Sequence, residues 1–259
     1  DIESKSFADL PEVGAYRYSE DESTDIICIA YAVEDGPIKT WVPGQPGPVE
    51  FLHPDAVFIA RNALFEYAMS RNVLVKKYGF PLRMNDPANY ICTAALSRMH
   101  GLPASLEPCA EYINKTHKKL PDGKRLIQLY SKPVKDKKTG ALSFRPIPPE
   151  DMDKFLAYNM DDVAADRECF STLVKLPNVE LERAAVVHDL RMNAEGVRID
   201  TAALDKVLTV FNAATERAEA AQESHGVNVR SPKQLKEWLA GKGYEIPDTR
   251  IDTIETLYE

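Results

Sequence analysis

The chain begins with two carboxylates, Asp1 and Glu3, separated by a single isoleucine. If this stretch is a β-strand, both carboxylates point to the same face, because side chains alternate along a strand with a period of two. Two carboxylates that close repel each other unless a cation lies between them. Carboxylate oxygens suit a hard divalent ion such as Mg²⁺ or Mn²⁺. The spacing therefore indicates a candidate metal site at the start of the chain.

Further side chains that could act at the same site lie far along the sequence. Glu66 falls in the first turn of a predicted helix that directly follows the apolar run "AVFIA", near a strand end, where α/β sheets place ligands. Tyr158 and Asp162 are four residues apart on another predicted helix and so share one face. Each pattern is weak by itself. Taken alone, Asp162 is typical of a solvated helix acid and Tyr158 of a half-buried core residue.

The elements that would position these side chains can be read from the apolar patterns. The runs "DIICIAYAVED" and "IKTWVP" predict a hairpin, and "NALFEYAMSRNVLVKKYG" predicts a helix ended by Gly79. Further helices are predicted over "NYICTAALSRMHG", "SLEPCAEYIN" and the long stretch "PPEDMDKFLAYNMDDVAADRECFSTLVKL". Only helical patterns follow Pro177. We therefore predict an α/β domain over residues 1–176 and a small all-α segment over 177–259.

Composition bounds the class of protein. The chain has 259 residues, 44% of them hydrophobic, enough to bury a sizeable core. Its four cysteines are far apart and lack zinc-ligand spacing, which is typical of reduced thiols in a cytosolic protein. No stretch resembles a signal peptide or a membrane span. We expect a soluble, cytoplasmic protein that is not exported.

Charge is distributed unevenly. The net charge is −8, which by itself argues against nucleic acid as a partner. Yet ten basic residues and only two acidic ones lie between Lys115 and Arg145. This basic insertion, residues 115–148, is punctuated by Gly and Pro and predicts a long excursion with short ordered pieces such as "RLIQLY". It is either a solvated loop or a surface that contacts phosphates.

The ordered set "DIE", "NALFE" and "YNMDD" resembles the three exonuclease motifs of the DEDD superfamily, in its tyrosine-bearing branch. That branch includes the proofreading domain of family A DNA polymerases. The stretches "DLPEVGAYRYSED", "GLPASLEPCAEYI" and "GKRLIQLYSKP" are similar to bacteriophage-type members, and "EGVRID" with "VNVRSPKQLKEWLAGKGY" is similar to the start of the polymerase thumb. The resemblance covers nearly the whole chain. It implies a ribonuclease H-like mixed sheet flanked by helices, with the first two acids on its central strand.

The resemblance also implies roles for individual residues. Asp1, Glu3 and Asp162 match metal ligands, Glu66 matches the second-motif acid, and Tyr158 matches the tyrosine that orients the attacking water. The metal ligands would hold two Mg²⁺ or Mn²⁺ ions, which can stabilise the attacking and leaving oxygens of a phosphodiester. The implied activity is 3′→5′ hydrolysis of DNA at a single-stranded or frayed 3′ end. The alternatives are an RNA 3′ exonuclease and a catalytically silent domain that braces a polymerase.

Three more residues match positions near the terminal nucleotide, and two residues depart from the family pattern. Phe7 stands where an apolar side chain wedges against the last base, and Asn62 and Phe65 match second-motif positions. Arg61 stands where a histidine is expected, and would either meet a phosphate or be simply exposed. Glu66 is one methylene longer than the usual aspartate.

The ends of the chain also depart from the pattern. No apolar residues precede Asp1, so we expect either a missing native segment or an unusually short strand. The polymerase palm and fingers have no counterpart here, and we expect them in the same protein or in a companion chain. The sequence thus predicts a fragment of a longer polymerase, or a naturally split one, that does not polymerise DNA alone.

Overall fold

A computed structural model describes residues 1–114 and 123–257. The chain divides into two compact units, Asp1–Gly196 and Val197–Glu259. The first unit contains every strand found among the described residues, and the second is helical. The protein is therefore mixed α/β, as predicted.

The strands of the first unit are short. They are β1 (Ile2–Lys5), β2 (Asp25–Tyr31), β3 (Lys39–Trp41), β4 (Phe58–Ala60), β5 (Tyr90–Cys92), β6 (Val134–Lys135) and β7 (Leu142–Ser143). Strands β1, β2 and β3 form an antiparallel sheet in that order, β4 and β5 form a parallel pair, and β6 and β7 form a hairpin.

Both units contain helices. They are α1 (Leu10–Glu20), α2 (Ala63–Met69), α3 (Val75–Tyr78), α4 (Thr93–Met99), α5 (Leu106–Asn114), α6 (Gly123–Leu126), α7 (Pro149–Leu173), α8 (Val179–Glu195), α9 (Thr201–His225), α10 (Pro232–Gly241) and α11 (Ile251–Glu255). Short 3₁₀ turns cover Val49–Leu52, Leu82–Asn85 and Pro87–Asn89, and π-helical turns cover Ser70–Leu74 and Ile127–Ser131. No helix among the described residues combines the length and apolar character that a membrane crossing requires.

Several local signals in the sequence are confirmed. The predicted hairpin is β2–β3, and the helix after β4 ends at Gly79, whose φ of 67° is the left-handed conformation that glycine adopts easily. The Asp200 side chain caps α9 by accepting a hydrogen bond from the Ala203 N–H. Ser231 caps α10 in the same way. These signals are local, and short-range chemistry suffices to read them.

One predicted helix is wrong in its first residues. The run "NYICTAALSRMHG" does not start as a helix, because Tyr90–Cys92 forms β5 and pairs in parallel with β4. The helix α4 begins only at Thr93. Tyr90 and Cys92 are buried while Ile91 between them is less so, which is the alternation of a strand.

The sheet also differs from the expectation. Among the described residues, β1 lies at the edge of its sheet and not at the centre, and the antiparallel and parallel strands form separate sheets. The other side of β1 faces a π-helical turn rather than a strand, and Ser6 beyond β1 donates its N–H to the Ser131 carbonyl at 3.3 Å. Asp1 precedes β1, so only Glu3 of the two acids lies within the strand.

The central strand β2 is apolar on both faces, as expected for a strand covered on both sides. Ile26 and Ile29 pack into one core with Trp41, while Ile27 and Cys28 pack into another with Phe155 of α7. Helix α7 therefore lies against the middle of the sheet. The same contact places the side chains of α7 beside β1.

The division between the units lies after Gly196 and not at the predicted residue 177. Helix α8 packs against β5, α4 and α2 in the first unit. Its Leu190 is buried with Tyr67 and Tyr90, and the Leu190 carbonyl accepts a hydrogen bond from the Tyr16 hydroxyl at 3.2 Å. The change of pattern at Pro177 marks a break between helices rather than the edge of a compact unit.

The basic insertion is described in part. Residues 115–122 lie outside the described residues, so the prediction for them stays a prediction. The rest contains α6 and the β6–β7 hairpin, and the predicted ordered piece "RLIQLY" lies within α6 and the π-helical turn after it.

Candidate active site

Helix α7 presents Tyr158 and Asp162 one turn apart beside Glu3 of β1. The helix is held there by Phe155, which is buried against β2, and by Asn159, whose Nδ2 lies 3.5 Å from the Cys28 Sγ. Cys28 is the residue that pairs with Glu3 across the β1–β2 ladder. The contact of α7 with β2 therefore places its polar residues next to the strand that carries Glu3.

Glu3 lies near the charges of two other acids, Asp162 and Glu66. Its pKa is raised from 4.5 to about 8, mainly by burial and in addition by the charges of Asp162 and Glu66. These three carboxylates come from β1, α2 and α7. The fold thus places Asp162 and Glu66 close enough to Glu3 for their charges to oppose its ionisation.

Glu66 has one carboxylate oxygen without a hydrogen-bond partner. Its Oε2 is buried and accepts no hydrogen bond from the protein. Its pKa is raised to about 7, mainly by burial and slightly by the charge of Asp166, although a hydrogen bond from its own backbone N–H works in the opposite direction. A buried carboxylate oxygen without a partner is costly, and a cation would satisfy it.

Tyr158 is oriented by two neighbours. Burial raises the pKa of its hydroxyl, and the charge of Asp162 and a hydrogen bond to that carboxylate raise it further. The ring lies against Gly123, the first residue of α6, so closely that a β-carbon there would overlap it. The hydroxyl is therefore protonated at neutral pH and its ring has little freedom to move.

Two residues that the sequence reasoning missed adjoin this cluster. Asp166 lies one turn beyond Asp162 and accepts a hydrogen bond from the Thr93 hydroxyl at 2.6 Å. Asn159 is fully buried, and its Oδ1 has no hydrogen-bond partner. The four-residue spacing that selected Tyr158 and Asp162 also reaches Asp166, so that signal was present in the sequence.

Arg61 is half-buried, and its guanidinium contacts other parts of the protein. Its guanidinium donates to the carbonyls of Pro103, Ala104 and Ser105 at 2.8 to 3.2 Å and lies 3.5 Å from the Asp166 carboxylate. The simple alternative of an exposed arginine is therefore wrong. These contacts do not favour a bond to phosphate, although that role stays a prediction.

The remaining predicted residues surround the cluster at different depths. Asn62 is exposed and immediately precedes α2. Phe65 is half-buried, with its ring centroid 6.1 Å from that of Tyr18. Phe7 is 38% exposed and stacks on Phe144. Their contacts with a nucleotide stay predictions.

The donor set fits a divalent ion by chemistry but is not preassembled. No group of three or more His, Cys, Asp or Glu side chains in residues 1–114 and 123–257 is spaced as a metal-binding cluster. Carboxylate oxygens, the partnerless Glu66 Oε2 and the mutual repulsion at Glu3 are nevertheless what a hard cation would satisfy. Asp1 is held through its backbone, because its nitrogen donates to the Ala30 carbonyl at 2.9 Å and its carbonyl accepts from the Ala30 N–H at 3.1 Å. Its role as a ligand stays a prediction.

The site thus belongs to an α/β protein whose carboxylates converge from three distant segments. No family model matches the chain. The chain is similar over its whole length to the DNA polymerase of Bacillus phage SP02, with 32% identity over 270 residues. The match covers 100% of this chain and 41% of that polymerase, so the chain spans about two fifths of the relative's length. The protein is therefore related to a phage DNA polymerase.

Proposed function

We propose that the first unit is a metal-dependent 3′→5′ exonuclease, the proofreading part of a family A DNA polymerase. Its substrate would be the last phosphodiester of a single-stranded or frayed DNA 3′ end. The fold proposed for it is ribonuclease H-like. The similarity to a phage DNA polymerase supports DNA as the partner of this unit.

The observation that carries the proposal is the buried Glu66 Oε2, which has no hydrogen-bond partner in the protein, in a fold that also places the charges of Glu66 and Asp162 near Glu3. Repulsion between buried carboxylates destabilises a fold, so their presence in this protein calls for an explanation other than stability. Structural acids normally have a cationic or hydrogen-bonding partner, as Asp166 has in Arg61 and Thr93. A partnerless buried oxygen on Glu66 is better explained by a ligand that binds there.

The residues of the chain can be given separate tasks. Asp1, Glu3, Glu66 and Asp162 would hold Mg²⁺ or Mn²⁺, two ions in the proposed site, which stabilise charge on the attacking and leaving oxygens. Tyr158 keeps its proton at neutral pH and can align the attacking water through a hydrogen bond. Asp162 fixes the direction of that hydroxyl.

The proofreading unit would work with partners other than the substrate strand. The polymerase palm and fingers would belong to the same protein or to a companion chain, and the setting would be the cytoplasm of a host cell. The second unit, with its capped helices α9 and α10, would be the start of the polymerase thumb.

Digestion of a mismatched primer tests the function. The primer carries a 5′ label, and the reactions contain Mg²⁺, Mn²⁺ or a chelator. We expect a ladder of products shortened from the 3′ end that requires the metal. Asp162→Asn should abolish the ladder, because it removes the charge but keeps an oxygen for the Tyr158 hydroxyl. Asp153→Asn is the matched control, since Asp153 is exposed on the same helix.

Three results would count against the proposal. Activity retained by Asp162→Asn would show that the carboxylate cluster is not the reacting site. A folded protein without any ladder under either metal would favour the silent structural domain. Faster shortening of an RNA strand than of the matching DNA strand would favour the RNA exonuclease.

A further inference from the structure

The described part of the basic insertion forms an ordered hairpin. Strands β6 and β7 pair antiparallel, with Val134 opposite Ser143 and Lys135 opposite Leu142. Asp136 closes the turn, because its Oδ1 accepts the N–H groups of Lys138 and Thr139 at 2.8 and 2.7 Å. This part of the insertion is therefore an ordered, exposed hairpin.

An aromatic stack joins this hairpin to the end of β1. The ring of Phe144, which directly follows β7, stacks on Phe7 with centroids 4.8 Å apart and an interplanar angle of 27°. The Nζ of Lys5 lies 5.3 Å from the Phe144 ring centroid. Each ring covers one face of the other, and Phe7 remains 38% exposed. The stack thus presents aromatic surface to solvent beside a cation.

The backbone beneath Phe7 is held by serine and threonine hydroxyls. The Phe7 N–H donates to the Ser23 Oγ at 2.7 Å, and the Ala8 N–H donates to the Ser6 Oγ at 3.0 Å. The Thr24 hydroxyl donates to the Ser6 Oγ at 2.6 Å. A stacking side chain on a fixed backbone loses little entropy when a ligand binds.

The surface around the stack is strongly basic. Residues 131–145 contain five basic side chains and one acidic one, against a net charge of −8 for the whole chain. All five basic residues are exposed: Lys132, Lys135, Lys137, Lys138 and Arg145. The acid, Asp136, is directed into its own turn, where hydrogen bonds from the backbone N–H groups of Thr139 and Lys138 lower its pKa. This concentration of charge favours a polyanion.

We propose that these residues form a binding platform for single-stranded DNA. The platform consists of Lys5, Phe7 and Phe144 with the five basic side chains of residues 131–145. Unpaired bases can stack on the aromatic rings while the basic residues contact the phosphates. The bases of a duplex are stacked on each other and have no free face, and an acidic protein has no bases. Only a single strand can therefore contact both the aromatic rings and the basic side chains.

The platform is continuous with the acid cluster. Glu3 and Lys5 lie on the same, less buried face of β1, two residues and about 7 Å apart along the strand. A single strand held on the platform would therefore lead directly to the carboxylates. The assignment of the 3′ end of the strand to the acids rests on the proposed function. The binding of a single strand to the platform does not depend on it.

Binding without hydrolysis tests the platform. The probe is a fluorescently labelled oligothymidylate of about 12 nucleotides, titrated with the full chain in a chelator and followed by fluorescence anisotropy. We expect Phe144→Ala to weaken binding about fivefold or more, because the variant removes the ring that holds the exposed Phe7 ring in a stack. Phe144→Trp should retain the affinity. Leu142→Ala is the matched control, since Leu142 is exposed in the same hairpin and lies outside the platform.

The basic side chains are tested through the salt dependence. Changing Lys135, Lys137 and Lys138 to Gln together should make the slope of log affinity against log salt shallower by about 0.7 for each phosphate that these lysines neutralise in the wild-type protein. An unchanged slope would remove these lysines from the platform. Equal affinity of Phe144→Ala and Leu142→Ala, or equally tight binding of a duplex, would overturn the proposal.

The same proteins separate this inference from the proposed function. Metal-dependent hydrolysis together with unchanged binding by Phe144→Ala would leave the exonuclease standing and remove the platform. Weakened binding by Phe144→Ala, together with no hydrolysis of DNA by the wild-type protein, would support the platform and remove the exonuclease.

Discussion

Removing the charge of Glu3 should stabilise the metal-free protein at alkaline pH. The pKa of Glu3 in the fold is about 8, against 4.5 for an unburied glutamate. That difference corresponds to at most about 5 kcal/mol of destabilisation once the side chain is ionised. Neighbouring Asp162 and Glu66 can take up protons in place of Glu3, which reduces the measured destabilisation. We therefore expect Glu3→Gln to raise the free energy of unfolding by about 2 to 3 kcal/mol.

The sign follows from which state binds the proton more tightly. The folded state holds the Glu3 proton more tightly than the unfolded state does, so ionisation opposes folding. The unfavourable contribution is absent below about pH 4.5, grows as the pH rises, and is complete above about pH 8. Wild-type protein should therefore lose stability across this window, and Glu3→Gln should lose less.

Thermal unfolding in a chelator between pH 5.5 and 8.5 measures the effect. For a chain of this size, 2 to 3 kcal/mol is a Tm difference of about 5 to 10 °C at pH 8.5, shrinking toward pH 5.5. Glu12→Gln is the control, because Glu12 is exposed on α1. Added Mg²⁺ should raise the wild-type Tm more than that of Glu3→Gln, since it binds the folded acids. A lower Tm for Glu3→Gln at pH 8.5 would refute the reasoning and reveal a structural partner of Glu3.

Two further substitutions probe the residues around the acids. Gly123→Ala should cost about 1 to 3 kcal/mol and slow hydrolysis, because the new methyl group displaces the Tyr158 ring; normal stability and rate in thermal melts and primer digestion would show that the ring can yield freely. Arg61→Met should cost about 3 kcal/mol or more in urea unfolding, because Asp166 is left buried without its cation. Arg98→Met, at an exposed arginine, is the control. Weaker DNA binding by Arg61→Met at unchanged stability would instead support the phosphate contact.

The elements that the sequence predicted well are those with local signals. Helix α7 has prolines and acids at its start and apolar residues at helical intervals, so its bounds follow from short-range chemistry. The strand β5 has only three residues, too few for a period to show, and its pairing with β4 is a long-range event. The edge position of β1 is equally non-local. Neither could be read from a single sequence.

The candidate site shows the same division. The spacing of Tyr158 and Asp162 places them on one helix face without any structure. The approach of Gly123 to the Tyr158 ring and the stacking of Phe144 on Phe7 join segments with no shared pattern. Glycine and a lone aromatic residue in a loop-like stretch carry no signal for such contacts. These neighbours of the site therefore emerged only from the packing.

The acid cluster must be held together by parts of the fold that do not take part in its chemistry. Glu3 and Glu66 oppose folding when ionised, since burial and neighbouring charges raise the pKa of each. The compensation lies behind them, where Phe155 of α7 is fully buried against β2. Burying a phenylalanine side chain contributes about 1.5 to 3 kcal/mol, the same order as the repulsion. The close-packed contact of Phe155 with β2 can thus keep Glu3 and Glu66 in place, even though their ionised forms are favourable there only when a cation is bound.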